Sequence, residues 1–161
     1  MEQLTVYVSA LQDSLYKKLD IMKQLLQLTR EQSDILKQDS PDMEHFDKNM
    51  DKKGILLEEM AELDKGFDVL FNKIGSELKE KKYQYQSQIL QMQNAIRSIT
   101  DCGVQLEGLE KRNRDAFQRY LTGARKEIKS FKVSNKTATS YYQNMANQHR
   151  EWQSYFLDQK K

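Results

Sequence analysis

Side chains able to do chemistry are few in this chain, and their spacing says what they are not. Histidine occurs twice, at His45 and His149, and cysteine once, at Cys102. Asp42 and His45 have the i, i+3 spacing with which a helix presents two ligands to a metal inside a bundle. A carboxylate-bridged metal pair needs that spacing on two helices plus two further inward carboxylates, and the matching position before His149 is Ala146. No metal and no cofactor is expected. Cys102 stands between Asp101 and Gly103 without an identifiable base, so it reads as a small buried side chain and not as a nucleophile. With no glycine-rich phosphate loop and no nucleophile elbow, the chain is expected to be non-catalytic.

Binding chemistry is better represented. Arg125, Lys129, Lys132 and Lys136 share one helical face, which reads as a solvated surface or as a contact for an acidic partner. Lys79, Lys81 and Lys82 lie beside Tyr83 and Tyr85 but are interrupted by Glu77 and Glu80, unlike a nucleic-acid patch. If residues 139–158 are helical, Tyr141, Met145, His149, Trp152, Tyr155 and Phe156 fall within an arc of roughly 120°, with Tyr142 at its edge. Such an arc packs back as a fourth helix or folds against a partner, where Trp and Tyr dominate binding energy. Tyr141, Tyr142, Met145, Trp152, Tyr155 and Phe156 are therefore the candidate binding residues.

The elements that would position this surface are helices. Of 161 residues 38% are hydrophobic and 31% charged, with six glycines and one proline. The mean hydropathy of −0.86 suits narrow apolar stripes on long helices better than a globular core. Leu4, Val8, Leu11, Leu15, Leu19, Met22, Leu25, Leu26, Thr29, Gln32, Ile35 and Leu36 repeat at threes and fours and predict a first helix ending near Asp39. Pro41 breaks it, and Ser40 is expected to cap the next helix, with Pro41 at its first position. The second helix carries Met43, Phe46, Met50, Leu56, Leu57, Met60, Leu63, Phe67, Leu70, Phe71, Ile74 and Leu78. A second bend is expected within Gly75–Lys82. A third helix, longer than the others, follows from about Tyr83 with Tyr85, Ile89, Met92, Ile96, Ile99, Leu106, Leu109, Phe117, Leu121 and Ile128, kinked or closely approached near Gly103 and Gly108. Asp13/Lys17, Glu107/Lys111, Glu110/Arg114 and Asp115/Arg119 are read as surface pairs one turn apart.

The expected fold is all-α: an elongated antiparallel three-helix bundle or coiled coil over residues 1–132, with an additional amphipathic helix in a C-terminal segment, 133–161. The formal charge of +2 argues against nucleic acid as the main partner. A single thiol, no signal peptide and no apolar run of about 20 residues point to the cytoplasm without membrane insertion.

Two stretches of this layout resemble the FlgN-type flagellar export chaperones. Met50-Asp-Lys-Lys-Gly-Ile-Leu-Leu-Glu-Glu-Met-Ala-Glu-Leu-Asp-Lys-Gly-Phe67 is similar to the family's second-helix pattern of a Lys, a leucine pair and a further apolar residue near an acidic position. Leu109-Glu-Lys-Arg-Asn-Arg-Asp-Ala-Phe117 is similar to its third-helix segment, in which an Asn precedes a large apolar residue. Phe156-Leu-Asp-Gln-Lys-Lys161 resembles the basic ends of relatives from Gram-positive bacteria. The resemblance implies a three-helix coiled coil that binds hook-associated (hook–filament junction) proteins, prevents their premature assembly and delivers them to the type III export gate or its ATPase. It also implies that the client is held by the C-terminal region, here Tyr141, Tyr142, Met145, Trp152, Tyr155 and Phe156. The alternative is a structural coiled-coil scaffold or self-assembling spacer, for which a homodimer is one form.

Overall fold

A stripe that returns every three or four residues can be buried only by another helix laid along it, and three such stripes lie along one another here. The computed structural model describes residues 2–123, where it contains α1 (Glu2–Leu36), α2 (Met43–Glu80) and α3 (Gln86–Gly123). No strand occurs among the described residues. At about 1.5 Å per residue each helix is on the order of 55 Å long. Short connections make α1 antiparallel to α2 and α2 antiparallel to α3, so α1 and α3 run parallel. Cross-helix pairs follow that order: Thr5 meets Tyr85 and Thr29 meets Asn113, whereas Lys18 meets Asp64 and Leu28 meets Asn49. The expected additional C-terminal helix and Ile128 lie outside the described residues.

α1 is the central element. It packs against both other helices, while no Cα of α2 comes within 8 Å of one in α3. Every α1 position assigned to the stripe is buried except Leu19, which is half-buried. The apolar side chains form two clusters. The larger runs from Leu4 and Leu78 to Leu26, Leu57 and Leu106. The smaller holds Ile35, Leu36, Phe46 and Phe117 at the end of the bundle where α1 turns into α2. There Phe46 of α2 and Phe117 of α3 stack with ring centroids 5.1 Å apart and planes 8° from parallel, spanning the wider gap between those helices.

The connections correct several expectations. α1 stops at Leu36, where Gln38 N–H donates to Ile35 O in a tighter last turn. The N-cap of α2 is Asp42 and not Ser40: its carboxylate accepts from the His45 backbone N–H at 3.2 Å, and the helix begins at Met43. Pro41 thus precedes the cap, and an Asp side chain serves there as well as a Ser would. The second bend falls inside the expected Gly75–Lys82 segment: Gly75 lies within α2, with the Phe71 ring 3.5 Å from where a Cβ would sit, and the break comes at Lys81, whose N–H bonds Glu77 O. Tyr85 closes the 81–85 turn instead of opening α3, and its buried ring places the hydroxyl 2.8 Å from Thr5 Oγ1. α3 is continuous through Gly103 and Gly108, and no atom from another helix comes within 4 Å of a Cβ built at Gly108, so no close helix approach exists there.

Phe117→Ala should destabilise the chain by about 3–5 kcal/mol, because it opens a cavity and removes the only stacked ring between α2 and α3 among the described residues. Val104→Ala, on a side chain 65% exposed, should change stability by less than about 0.5 kcal/mol. Urea unfolding followed by circular dichroism measures both.

Candidate functional site

The stripes are interrupted by polar residues where the heptad spacing calls for apolar ones. Lys18 falls between Leu15 and Met22, Asp64 between Met60 and Phe67, and Asn49 and Lys53 between Phe46 and Leu57. All four are buried. Lys18 Nζ meets Asp64 Oδ1 at 3.0 Å, joining α1 to α2. Lys53 Nζ meets Glu110 Oε1 at 2.8 Å and donates to Gln32 Oε1 at 3.3 Å, so one ammonium ties α2 to both α3 and α1. Asn113 Nδ2 donates to Gln32 Oε1 and to Thr29 O, each at 3.0 Å, and Asn49 Nδ2 donates to Leu28 O at 2.8 Å. Thr29, Gln32, Asn49, Lys53, Glu110 and Asn113 together make a polar layer across the bundle, separating the two apolar clusters.

The two stretches that carried the family resemblance meet in this layer. Lys53 comes from the first, Glu110 and Asn113 from the second, and Phe117 stacks just beyond. Glu110, expected to pair with Arg114 on the surface, turns inward to Lys53. Burial lowers the pKa of Lys18 and Lys53, and Asp64 and Glu110 oppose that shift. Burial likewise raises Asp64 and Glu110, opposed by their lysines. Enclosed groups with mutual partners have no access to a substrate, so the layer fixes helix register. Cys102 is buried, and burial raises its thiol pKa. Asp42 and His45 use their i, i+3 spacing for the helix cap, while the exposed His45 Nε2 lies 2.7 Å from Glu31 Oε1.

Binding must therefore use the surface. Large apolar side chains that stay exposed are dispersed, including Val6, Ile55, Val69, Leu90 and Val104, with Tyr83 standing 80% exposed in the α2–α3 turn. Between α1 and α2 an open groove is floored by Tyr16, Ile21 and Leu63 and rimmed by Asp20, Glu59 and Glu62. Near the other end of α1, Lys37, Arg112 and Arg119 surround a smaller hollow against α3. The six candidate binding residues, Tyr141, Tyr142, Met145, Trp152, Tyr155 and Phe156, and the basic series Arg125, Lys129, Lys132 and Lys136, lie outside the described residues.

Lys53→Met alone should cost about 3–5 kcal/mol, since it strands the Glu110 carboxylate in the interior. The Lys53→Met/Glu110→Leu double variant should regain most of that loss or exceed the parent in stability, as read by urea unfolding. The pH dependence has a defined sign. Because burial raises Glu110, the folded parent binds a proton that the unfolded chain does not, between the ordinary carboxylate value of about 4 and the raised one. This contribution is fully present below the unfolded value and is lost as pH rises through the folded one. The Glu110 carboxyl should therefore add stability to the parent, relative to the double variant, as pH falls through its raised value toward about 4, while Lys53, lowered by burial, contributes with the opposite sign as pH falls through its own lowered value.

Two further observations place the chain among known proteins. No curated protein and no solved structure matches it. The family model described as FlgN protein matches residues 1–150, which include all three helices and the stretches that meet in the polar layer. The chain belongs to the FlgN family, the flagellar export chaperones.

Proposed function

We propose that the chain holds hook-associated proteins of the hook–filament junction in the cytoplasm, keeps them from assembling prematurely and delivers them to the export gate or its ATPase. The bundle is the scaffold and the client is held by the C-terminal segment through Tyr141, Tyr142, Met145, Trp152, Tyr155 and Phe156. The observation that carries this reading is the family match, which continues past Gly123 to residue 150 and so includes Tyr141, Tyr142 and Met145. The helices support it from the other side, because α1, α2 and α3 bury their stripes against one another and, the α1–α2 groove apart, leave dispersed apolar residues outside. No described helix is long and apolar enough to cross a membrane.

Mechanistically, the segment covers the amphipathic helical terminus of an unassembled subunit. Ordering it on the client costs about 2–5 kcal/mol of the contact energy, which keeps the complex reversible and suits transfer at the gate. No step needs nucleotide hydrolysis by this chain.

Trp152, the only tryptophan, reports on the contact. Titration with a hook–filament junction protein should change its emission and saturate at one client per chain. Deleting residues 139–161 should remove binding while leaving the helical circular dichroism of the bundle. Equal binding by the deleted chain would move the site onto the bundle, and large particles in light scattering without client would favour the self-assembling scaffold.

A further inference from the structure

The groove between α1 and α2 is open to solvent between Tyr16–Gln24 and Glu59–Leu63, and no residue of α3 lines it. Its floor of Tyr16, Ile21 and Leu63 is apolar, and Tyr16 is 44% exposed although it is aromatic. Ile55, 59% exposed, stands one turn before Glu59, on the side of the α1–α2 connection. The rim carries Asp20, Glu59 and Glu62 against Lys17, with Lys65 just outside it 3.8 Å from Glu62. A ligand suited to it is therefore aromatic or aliphatic on one side and cationic at its edges.

The chain carries such a segment. Residues 1–123 hold 18 basic and 21 acidic side chains, a formal charge of −3, whereas residues 124–161 hold eight basic and three acidic, a formal charge of +5. The near-neutral total hides two halves of opposite sign. Residues 124–161 also contain six of the aromatic residues, among them Trp152.

Connectivity brings the two together. Because α3 is parallel to α1, Gly123 ends beside the α1–α2 connection, and Ile21 lies about 22 Å back along α1 from Leu36. The 17 residues between Gly123 and Tyr141 span at most about 60 Å of chain, more than that distance requires. Covalent linkage makes the contact intramolecular, so it needs less intrinsic affinity than contact with a separate chain.

We propose that residues 124–161 dock in the α1–α2 groove of their own bundle when no client is bound, so that a client must displace them. The inference rests on the reading that this segment holds the client, and it adds a regulation of that site. Docking lowers apparent client affinity by the fraction of chains left open, so release of a segment docked nine-tenths of the time tightens binding about tenfold.

The test uses the full chain and its Glu59→Lys/Glu62→Lys variant, whose changes lie on exposed positions and leave the core intact. In the parent without client, Trp152 should emit as a shielded indole and move toward the solvated value on adding salt. In the variant it should emit as solvated at all salt concentrations, and a hook–filament junction protein should bind about three- to tenfold more tightly. A solvated Trp152 in the client-free parent, or an emission unchanged by the variant, overturns docking, and client binding in the same titration then leaves the chaperone reading standing. Emission that follows the groove substitution without client binding supports docking and removes the chaperone reading. A shift that grows with protein concentration assigns the groove to a second copy and overturns the intramolecular contact.

Discussion

The arrangement depends on one ammonium group. Lys53 reaches from α2 across a gap too wide for backbone packing and binds Glu110 of α3 and Gln32 of α1 at once. Burying a cation and a carboxylate costs several kcal/mol per ion before their attraction is counted, so the pair adds little to stability over two apolar residues. Its value lies in discrimination. Apolar stripes at threes and fours slide past one another by a heptad with modest loss, but such a slip would move Lys53 to the level of Gly103 or Phe117 and Glu110 to the level of Phe46 or Met60, where neither has a partner.

The second pair extends the argument along the bundle. Lys18 and Asp64 fix α1 against α2 inside the larger apolar cluster, well away from the layer around Lys53. Two separated polar contacts determine both the offset and the rotation of that hairpin. α3 is fixed by Glu110 and Asn113 and by the Phe46–Phe117 stack beyond them. The two sequence stretches that resembled the FlgN pattern contain these interior residues, Lys53 in the first and Asn113 in the second, so a Lys and an Asn that look like surface groups belong to the fold.

The helices were legible because hydrophobic periodicity is a strong signal over 35 or more residues. Thr29 and Gln32 could be placed in the α1 stripe because their spacing continued it. Lys18, Lys53, Asp64 and Asn113 were missed because charge and amide groups are ordinarily solvated, and a partner on a different helix is invisible to local spacing. The same limit explains Glu110: Arg114, one turn away, is the nearest partner in sequence, but Lys53 is the nearer in space. At the α2 start both Ser40 and Asp42 are good caps, and only backbone direction after Pro41 decides between them. The α1–α2 groove could not be read at all, since it belongs to the angle between two helices.

One consequence follows from α1 and α3 running parallel. Gly123 and the exposed Tyr83 turn lie at opposite poles of a rod about 55 Å long. The point at which the segment leaves the bundle and the Tyr83 turn are therefore separated by more than the width of a small domain. Partners at those two points could be engaged together without steric conflict, and a three-body encounter would need no release of the first before arrival of the second.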